Sequence, residues 1–210
     1  IIQTNAINSW RALSDQIEII IIGDSIGSDE FSKKINAIYI PEIRCTDSGV
    51  PLISDMVKIG TEAANNNLLM LINADIILPI DFLKRISVLK KTKRKFLTIG
   101  HRWDMDVHGY IDFFNPKNSS KFWNKVELKS KKHSCSGIDY FLFRKGTIKN
   151  IPDFAIGRFG WDNWILWYAR RNLIPLIDAS EEIKVVHQNH TYVNHKKVDL
   201  KHNSELVKNN

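Results

Sequence analysis

The sequence predicts an α/β protein, a single domain in which a mostly parallel central sheet is flanked by helices, and three observations predict it. Strand-like and helix-like patterns alternate from the first residue to the segment "FLTIGHRWDMDV", as they do in chains built from βαβ units. The 210 residues are 43% hydrophobic, which is ample for one packed core. No internal repeat and no linker divides the chain, so residues 1–196 are expected to form one domain and residues 197–210 a polar tail.

The elements follow in order. "IIQTN" is expected as a short first strand and "AINSWRALS" as a helix with Ile7, Trp10 and Leu13 on one face. "IEIIIIGDS" reads as a buried strand ending in Gly-Asp and "INAIYIPEI" as a third strand. "PLISDMVKIGTEAANNN" reads as a helix that begins near Ser54 and stops at the Asn run. "LLMLINADI" is the fourth strand. After Pro79 comes an expected helix with a strongly basic end, "IDFLKRISVLKKTKRK", then the strand "FLTIGHRWDMDV". Residues 109–133 are polar, aromatic and Lys-rich without a clear period, so a loop or lid is expected there. "SCSGIDYFLFRKG" returns to apolar alternation, and "IPDFAIGRFGWDNWILWYARRN" is a Gly- and aromatic-rich loop feeding a helix from Asp162 to Asn172. "PLIDASEEIKVVHQNHTYVNH" is the last recognisable element, with a frayed chain beyond Lys196. Open α/β sheets carry function outside the carboxyl ends of their strands. That rule brings Gln3, Thr4 and Asn5, the stretch Gly23 to Ser25, and Asn73, Ala74 and Asp75 to one edge.

The net charge of +7 favours anionic partners without choosing among phosphates, acidic glycans, lipid headgroups and nucleic acid. Cys45 and Cys135 lie far apart and form no CxxC pair. This argues against a disulfide framework or a zinc knuckle and for a reducing compartment. No stretch is apolar for the roughly 18 residues that a membrane span needs, and no signal peptide is visible. A cytoplasmic location is expected, with peripheral contact at the inner membrane face through the basic surface as a secondary expectation. The chain begins at Ile1 rather than Met, which leaves room for an upstream segment.

Asp75 interrupts the apolar run "LLMLINADIILPIDF". An ionised carboxylate taken out of water is costly unless a cation or hydrogen-bond donors meet it. In a strand, Asn73 and Asp75 at i and i+2 share a face, while Ala74 points away and leaves room for something bulky. One carboxylate with phosphate oxygens and water is enough to hold Mg²⁺ or Mn²⁺, hard ions that need no all-protein cage. The competing use is local: Asp75 caps a turn before Pro79 while Asn73 bonds backbone.

Here the pattern resembles a family. A strand ending in Gly-Asp, a helix, then a strand ending in a short acidic motif looks like the nucleotide-sugar-binding half of a GT-A fold glycosyltransferase, family 2-like, of the nucleotide-diphospho-sugar transferase superfamily. "INADI" stands where that superfamily carries Asp-x-Asp. Independently, "GRFGWDNWILWYARRN" is similar to the Gly-Trp plus acidic loop that opens the acceptor-side helix in family 2-like and galactosyltransferase-like enzymes. The resemblance covers residues 1–192. Two departures stand out: a neutral amide replaces one metal carboxylate, and only Asp162 follows Trp161 where a Glu-Asp pair is usual.

The resemblance implies transfer of a sugar from a nucleoside-diphosphate donor to a glycan or glycolipid acceptor, with Mn²⁺ or Mg²⁺ and with inversion. It gives Asp75 the metal role, Asn73 assisting, and has His187 of "VVHQNH" complete the coordination, with His190 a competitor on similar terms. A strand histidine satisfied by backbone is the plainer use of His187. Gln3, Thr4 and Asn5 fall where the family's first strand meets the base, and Asp24 where an acidic residue bonds the nucleoside. Asp47 and Gly49 of "TDSGVP" fall where such enzymes touch the nucleotide, together with Asn73 and Ala74. Locally, Asn5 suits a helix N-cap, Asp24 a turn after Gly23, and "TDSGVP" a plain loop.

An inverting transfer needs a base within hydrogen-bond reach of the acceptor hydroxyl. Asp162 at a helix start, where the dipole favours its ionised form, is the first candidate, with Trp161 and Trp164 as a wall for the acceptor sugar. Asp139 in "SGIDYFLF" is the second; a plain helix cap is the alternative for Asp162. The runs "KKTKRK" and "KSKKH" read first as solvated faces. Two rivals are weighed. A sugar-1-phosphate nucleotidyltransferase expects a Gly-rich N-terminal loop with Arg and Lys, which "IIQTNAINSWRAL" lacks. A non-catalytic binder of anionic polymer expects aromatics interleaved with the basic runs, which "KFWNK" fits weakly and "KKTKRK" does not, so no nucleic acid is expected.

Overall fold

The computed structural model describes residues 1–191 and 197–209. In chain order the elements are α1 (Ile2–Arg11), β1 (Ile20–Ile22), α2 (Ser28–Lys34), β2 (Ile38–Ile40), α3 (Ile53–Ala63), β3 (Leu68–Ile72) and β4 (Ile76–Ile77). Then come α4 (Phe82–Arg85), α5 (Ser87–Lys91), β5 (Leu97–Met105), α6 (Pro116–Lys129), β6 (Lys131–Lys132) and β7 (Ile138–Arg144). The last are α7 (Trp161–Arg171), β8 (Leu176–Asp178), β9 (Val185–Gln188) and α8 (Lys197–Asn209). The chain forms two compact units, the first from Ile1–Ile17, Met70–Leu142 and Ile177–Tyr192, the second from Glu18–Leu69, Phe143–Leu176 and Val193–Asn210.

The α/β class is as expected, but the sheet is mixed rather than mostly parallel. β1 and β2 pair in parallel as a two-stranded sheet of their own. The larger sheet has seven strands in the order β3-β7-β5-β9-β4, with β6 and β8 also on β5. β5 and β9 run parallel, whereas β4–β9 and β5–β6 are antiparallel. The late strand β9 causes this: it inserts between β5 and β4, so the short β4 pairs with it and not with its sequence neighbour β3. Such a partner is distant in sequence, and local periodicity carries no information about it.

Several expected elements differ for identifiable reasons. "IIQTN" is the start of α1, not a strand. Ile2, Ala6 and Trp10 recur at i+4 spacing, and the helical period therefore extends back through the pair that looks strand-like in isolation. Trp10 donates its indole N–H to the Ile76 carbonyl at 2.8 Å, and Ser9 Oγ accepts the Leu78 N–H at 3.1 Å, tying α1 to β4. Residues 116–129, inside the expected loop or lid, form α6. Asn115 caps it by accepting the Lys117 N–H at 3.0 Å, and Pro116 sits in the first turn, where its missing N–H costs nothing. Its buried stripe is narrow, Ser119, Phe122 and Val126, with lysines elsewhere. Phe122 meets Phe113 edge to face at 5.3 Å in a core with Ile77, Met105, Val126 and Val186. Burying each such side chain stabilises by about 1.5–3 kcal/mol.

The basic helix after Pro79 is two short helices, α4 and α5, broken at Ile86, which is buried while α5 itself has no buried residue. The expected frayed tail contains α8. Its Asn203 is fully buried, accepting the Ala155 N–H at 2.7 Å and donating to the Ala155 and Phe159 carbonyls at 3.1 and 3.0 Å. One carboxamide thus fixes the helix within the second unit, a bond pattern invisible to a hydropathy reading. No helix among the described residues is long and apolar enough to cross a membrane.

Candidate functional site

The strand expected over "LLMLINADI" ends at Ile72, and Asn73, Ala74 and Asp75 are a turn between β3 and β4. The Asn73 N–H donates to the Asp139 carbonyl of β7 at 3.0 Å, while the Asp75 carbonyl accepts the Gln188 N–H of β9 at 3.3 Å. The turn therefore passes from one neighbour of β5 to the other, and Asp104 of β5 lies between them in the sheet. Asp104 is in register with His187, so on adjacent parallel strands their side chains share a face.

A continuous polar cluster results, all of it in the first unit. His187 Nε2 lies 3.4 Å and His190 Nε2 3.1 Å from Asp75 Oδ2. On the far side of each imidazole, His187 Nδ1 lies 3.1 Å from Asp104 Oδ1 and His190 Nδ1 is 3.2 Å from the Thr191 carbonyl. Asp104 takes Arg102 Nε at 2.9 Å and His133 Nδ1 on its other oxygen. Arg102 Nη1 donates to Asp139 Oδ2 at 2.9 Å, and Asn73 Nδ2 donates to Asp139 Oδ1 at 2.6 Å. His187 is only 3% exposed, while His190 and Asp75 remain open at 28% and 20%.

The electrostatics are unbalanced. Asp104 and Asp139 share the Arg102 guanidinium while Asp75 meets only the two imidazoles, so with neutral imidazoles and ionised carboxylates the cluster carries an excess of two negative charges. Burial opposes ionisation of Asp75, but hydrogen bonds from His187 and His190 outweigh it and hold its pKa below the ordinary carboxylate range. The same pairing raises the pKa of His190. For Asp104 burial again opposes the charge, and His133 and Arg102 prevail, lowering its pKa. Burial wins at Asp139 despite Arg102, and its pKa is raised.

The donor set fits a divalent cation. Asp75, His187 and His190 each offer one ligand atom, all within 4.8 Å of one another. Bonds of about 2.1 Å to a common ion, at angles between right and tetrahedral, place donors about 3.0–3.4 Å apart, and the two measured separations are 3.1 and 3.4 Å. Asp75 Oδ1 is buried without a hydrogen-bond partner, a second oxygen that a ligand would satisfy.

The structure brings together Asp75, His187, His190, Asn73 and Asp139 from among the expected site residues. Both histidines converge on Asp75 rather than competing for it, and both oxygens of Asp139 are engaged by Asn73 and Arg102. Ala74 is exposed at the turn. Gln3 and Thr4 lie on α1 and not at a strand end. Asn5, fully buried, spends its carboxamide on Gly109, Ile111 and Gln188 at 2.9–3.1 Å.

The remaining candidates belong to the second unit. Asp24 follows β1 and accepts the Tyr39 hydroxyl at 2.9 Å. Asp47 and Gly49 form an exposed turn in which the Gly49 N–H donates to the Thr46 carbonyl at 2.8 Å. Asp162 occupies the first turn of α7, one oxygen accepting the Asn163 N–H at 2.8 Å. Gly160, before it, has φ +110°, and an added Cβ would come within 2.8 Å of Val207. Trp161 is buried; Trp164 is half-buried and stacked on Tyr168 at 5.1 Å.

Arg102, Asp104 and His133 escaped the reading of the sequence. The available signal was the pair Arg102 and Asp104 at i and i+2 in a largely buried strand, two charges on one face that need partners. No protein-family model and no curated protein matches this chain. Among solved structures the chain is similar to 4-diphosphocytidyl-2C-methyl-D-erythritol synthase from Anaerococcus prevotii DSM 20548. Identity is 13%, over 98% of this chain and 85% of that one, with a TM-score of 0.42, a likeness too slight to bear on function.

Proposed function

We propose that the chain is a metal-assisted glycosyltransferase that moves a sugar from a nucleoside-diphosphate donor to a carbohydrate-type acceptor, with inversion. The observation that carries this reading is the convergence of Asp75, His187 and His190 around a buried, unpartnered carboxylate oxygen in a cluster with negative charge in excess. Asp75, His187 and His190 would hold a divalent ion, which would supply positive charge to a departing diphosphate. Asp75 and the two imidazoles bind and orient; Asp104 lies beside His187 on the neighbouring strand, and Asn73 hydrogen-bonds Asp139. Asp162 takes the proton of the acceptor hydroxyl, its ionised form favoured by the start of α7, and Trp164 contributes aromatic surface to the acceptor sugar. The exposed run from Lys90 to Lys95 suits contact with anionic headgroups when the acceptor is a glycolipid.

Donor hydrolysis across the common nucleotide sugars, with and without Mn²⁺, tests the reading. Turnover of one donor is expected in the wild type and is lost in Asp75→Ala and Asp162→Ala, both folded by circular dichroism. Unchanged turnover in either variant removes that residue from its role. Pyrophosphate release from a nucleoside triphosphate and a sugar 1-phosphate, without donor hydrolysis, replaces the reading with nucleotidyl transfer.

A further inference from the structure

The loop that leads into α7 is gripped by α8. His202 Nε2 donates to the Asp153 carbonyl at 2.6 Å. Asn203 accepts the Ala155 N–H at 2.7 Å and donates to the Ala155 and Phe159 carbonyls at 3.1 and 3.0 Å. Val207 lies over Gly160, close enough that an added Cβ would come within 2.8 Å of it. The opposite edge of the loop meets the start of α3, where the Ile53 N–H donates to the Phe154 carbonyl and the Ile156 N–H to the Pro51 carbonyl, both at 2.9 Å. Those bonds reach as far as Ile156; the Phe159 carbonyl, three residues on, is taken by Asn203.

A carboxamide is planar, with its acceptor and its donors on opposite sides, so three bonds at once leave it one placement and fix the two peptides it joins. Asn203 is fully buried, and water cannot replace a bond lost there. Helix α7 begins immediately afterwards. The Gly160 carbonyl accepts the Trp164 N–H at 2.9 Å, the first bond of the helix, and Asp162 lies within that turn. With a single residue between Phe159 and the helix, a displaced Phe159 peptide turns the first turn of α7 with it.

We infer that Asn203 is a positioning residue for the first turn of α7, and so for Asp162, acting through the Phe159 peptide. The inference rests on the reading of Asp162 as the base in the proposed function. Asn203 is placed away from the chemistry; it sets the direction from which Asp162 meets the acceptor.

Amide hydrogen exchange by NMR and steady-state kinetics on the full chain test it together. In Asn203→Ala the amides of Ala155 and Trp164 are expected to exchange at least about tenfold faster relative to that of Ile38, which is bonded to the Ile19 carbonyl on the two-stranded sheet. At a temperature where the variant is folded, kcat is expected to fall about 10- to 100-fold, the cost of a base misplaced by about 1 Å, with the donor KM within about twofold of wild type. Asn203→Asp keeps an oxygen for the Ala155 N–H but sets a second oxygen against the Phe159 carbonyl. It should retain slow exchange at Ala155 and lose it at Trp164, with the same fall in kcat, and it carries the test if Asn203→Ala does not fold. Equal acceleration of all three amides is what a merely structural role produces and overturns the inference, as does unchanged kcat in a variant whose Trp164 amide is selectively exposed. Selective exposure in a protein whose wild type turns over no nucleotide sugar removes the transferase reading and leaves the hold of Asn203 on α7 standing. Turnover that is lost in Asp162→Ala and kept in both Asn203 variants does the reverse.

Discussion

In the first unit two carboxylates share one guanidinium and a third meets only imidazoles, whereas in the second unit one guanidinium serves carboxylates whose needs are met. Arg44 binds both oxygens of Asp153 at 2.8 and 3.0 Å, and Ser54 adds a donor at 2.6 Å. Asp55 accepts the Arg44 backbone N–H at 2.8 Å. Arg44 is 57% exposed and open to solvent. Around Asp75 the guanidinium is more deeply buried, the excess of negative charge is larger, and one carboxylate oxygen has no partner. Both regions are dense in ionisable side chains, so density does not separate a structural network from a binding site. Burial and an unmet oxygen do: a network whose acceptors are satisfied holds the fold, and a buried one that leaves a carboxylate oxygen unpartnered is arranged for something else.

The strongest way to break this contrast is to remove Asp75. Ion affinity is expected to fall more than about a hundredfold, and Mn²⁺ at a hundred times its wild-type Kd, which stabilises the wild type by about 2.7 kcal/mol through mass action, is expected to leave the melting temperature of Asp75→Ala unmoved. Differential scanning calorimetry with and without Mn²⁺ measures this, and an equal shift in both proteins refutes it. Chelation of the wild type should return it to its metal-free melting temperature.

A smaller effect sharpens the comparison within the first unit. Asn5 is buried like the Asp75 cluster but makes all its bonds, so Asn5→Ala is expected to cost about 2–3 kcal/mol by leaving the Ile111 N–H and its other partners unpaired, while ion affinity changes little. Urea unfolding gives the first number and Mn²⁺ titration the second. A loss of ion affinity without a loss of stability would reverse the assignment.

The smallest effect belongs to the second unit. Hydrogen bonding by Arg44, then by Ser54, holds the Asp153 pKa below its ordinary value. A carboxylate depressed in the folded state contributes stability above its unfolded pKa and loses it as pH falls through the folded value. Wild type should therefore lose more stability than Asp153→Asn on acidification below about pH 4, and little difference in slope is expected above it. Urea midpoints at a series of pH values decide the matter; parallel curves through the acid range contradict it.

What was legible in the sequence follows from what is local. One acid in an apolar run needs a partner wherever the chain goes, and that alone singles out Asp75. His187 and His190 are alternatives in the sequence because spacing does not say whether two side chains turn to one point; the irregular chain leaving β9 through Asn189 brings both to Asp75. Asp104 was hidden by register. Its partners are distant in sequence, joined only because β9 pairs with β5 one residue at a time. The same limit governs the sheet, since a parallel pattern was inferred from alternating elements and the insertion of β9 made it mixed. Helix α6 was obscured by its lysines although its Asn-Pro start was in plain view, and α1 was cut short by two isoleucines that suit a strand or a helix equally well.

The central claim is that Asp75, His187 and His190 together hold a divalent cation. Diffraction from crystals of the full chain soaked in Mn²⁺, recorded for anomalous scattering, tests it directly. A single strong anomalous peak within bonding distance of Asp75 Oδ2 and the two Nε2 atoms is the predicted result. Manganese bound elsewhere, or none at a saturating concentration with the three side chains still packed on one another, would contradict it.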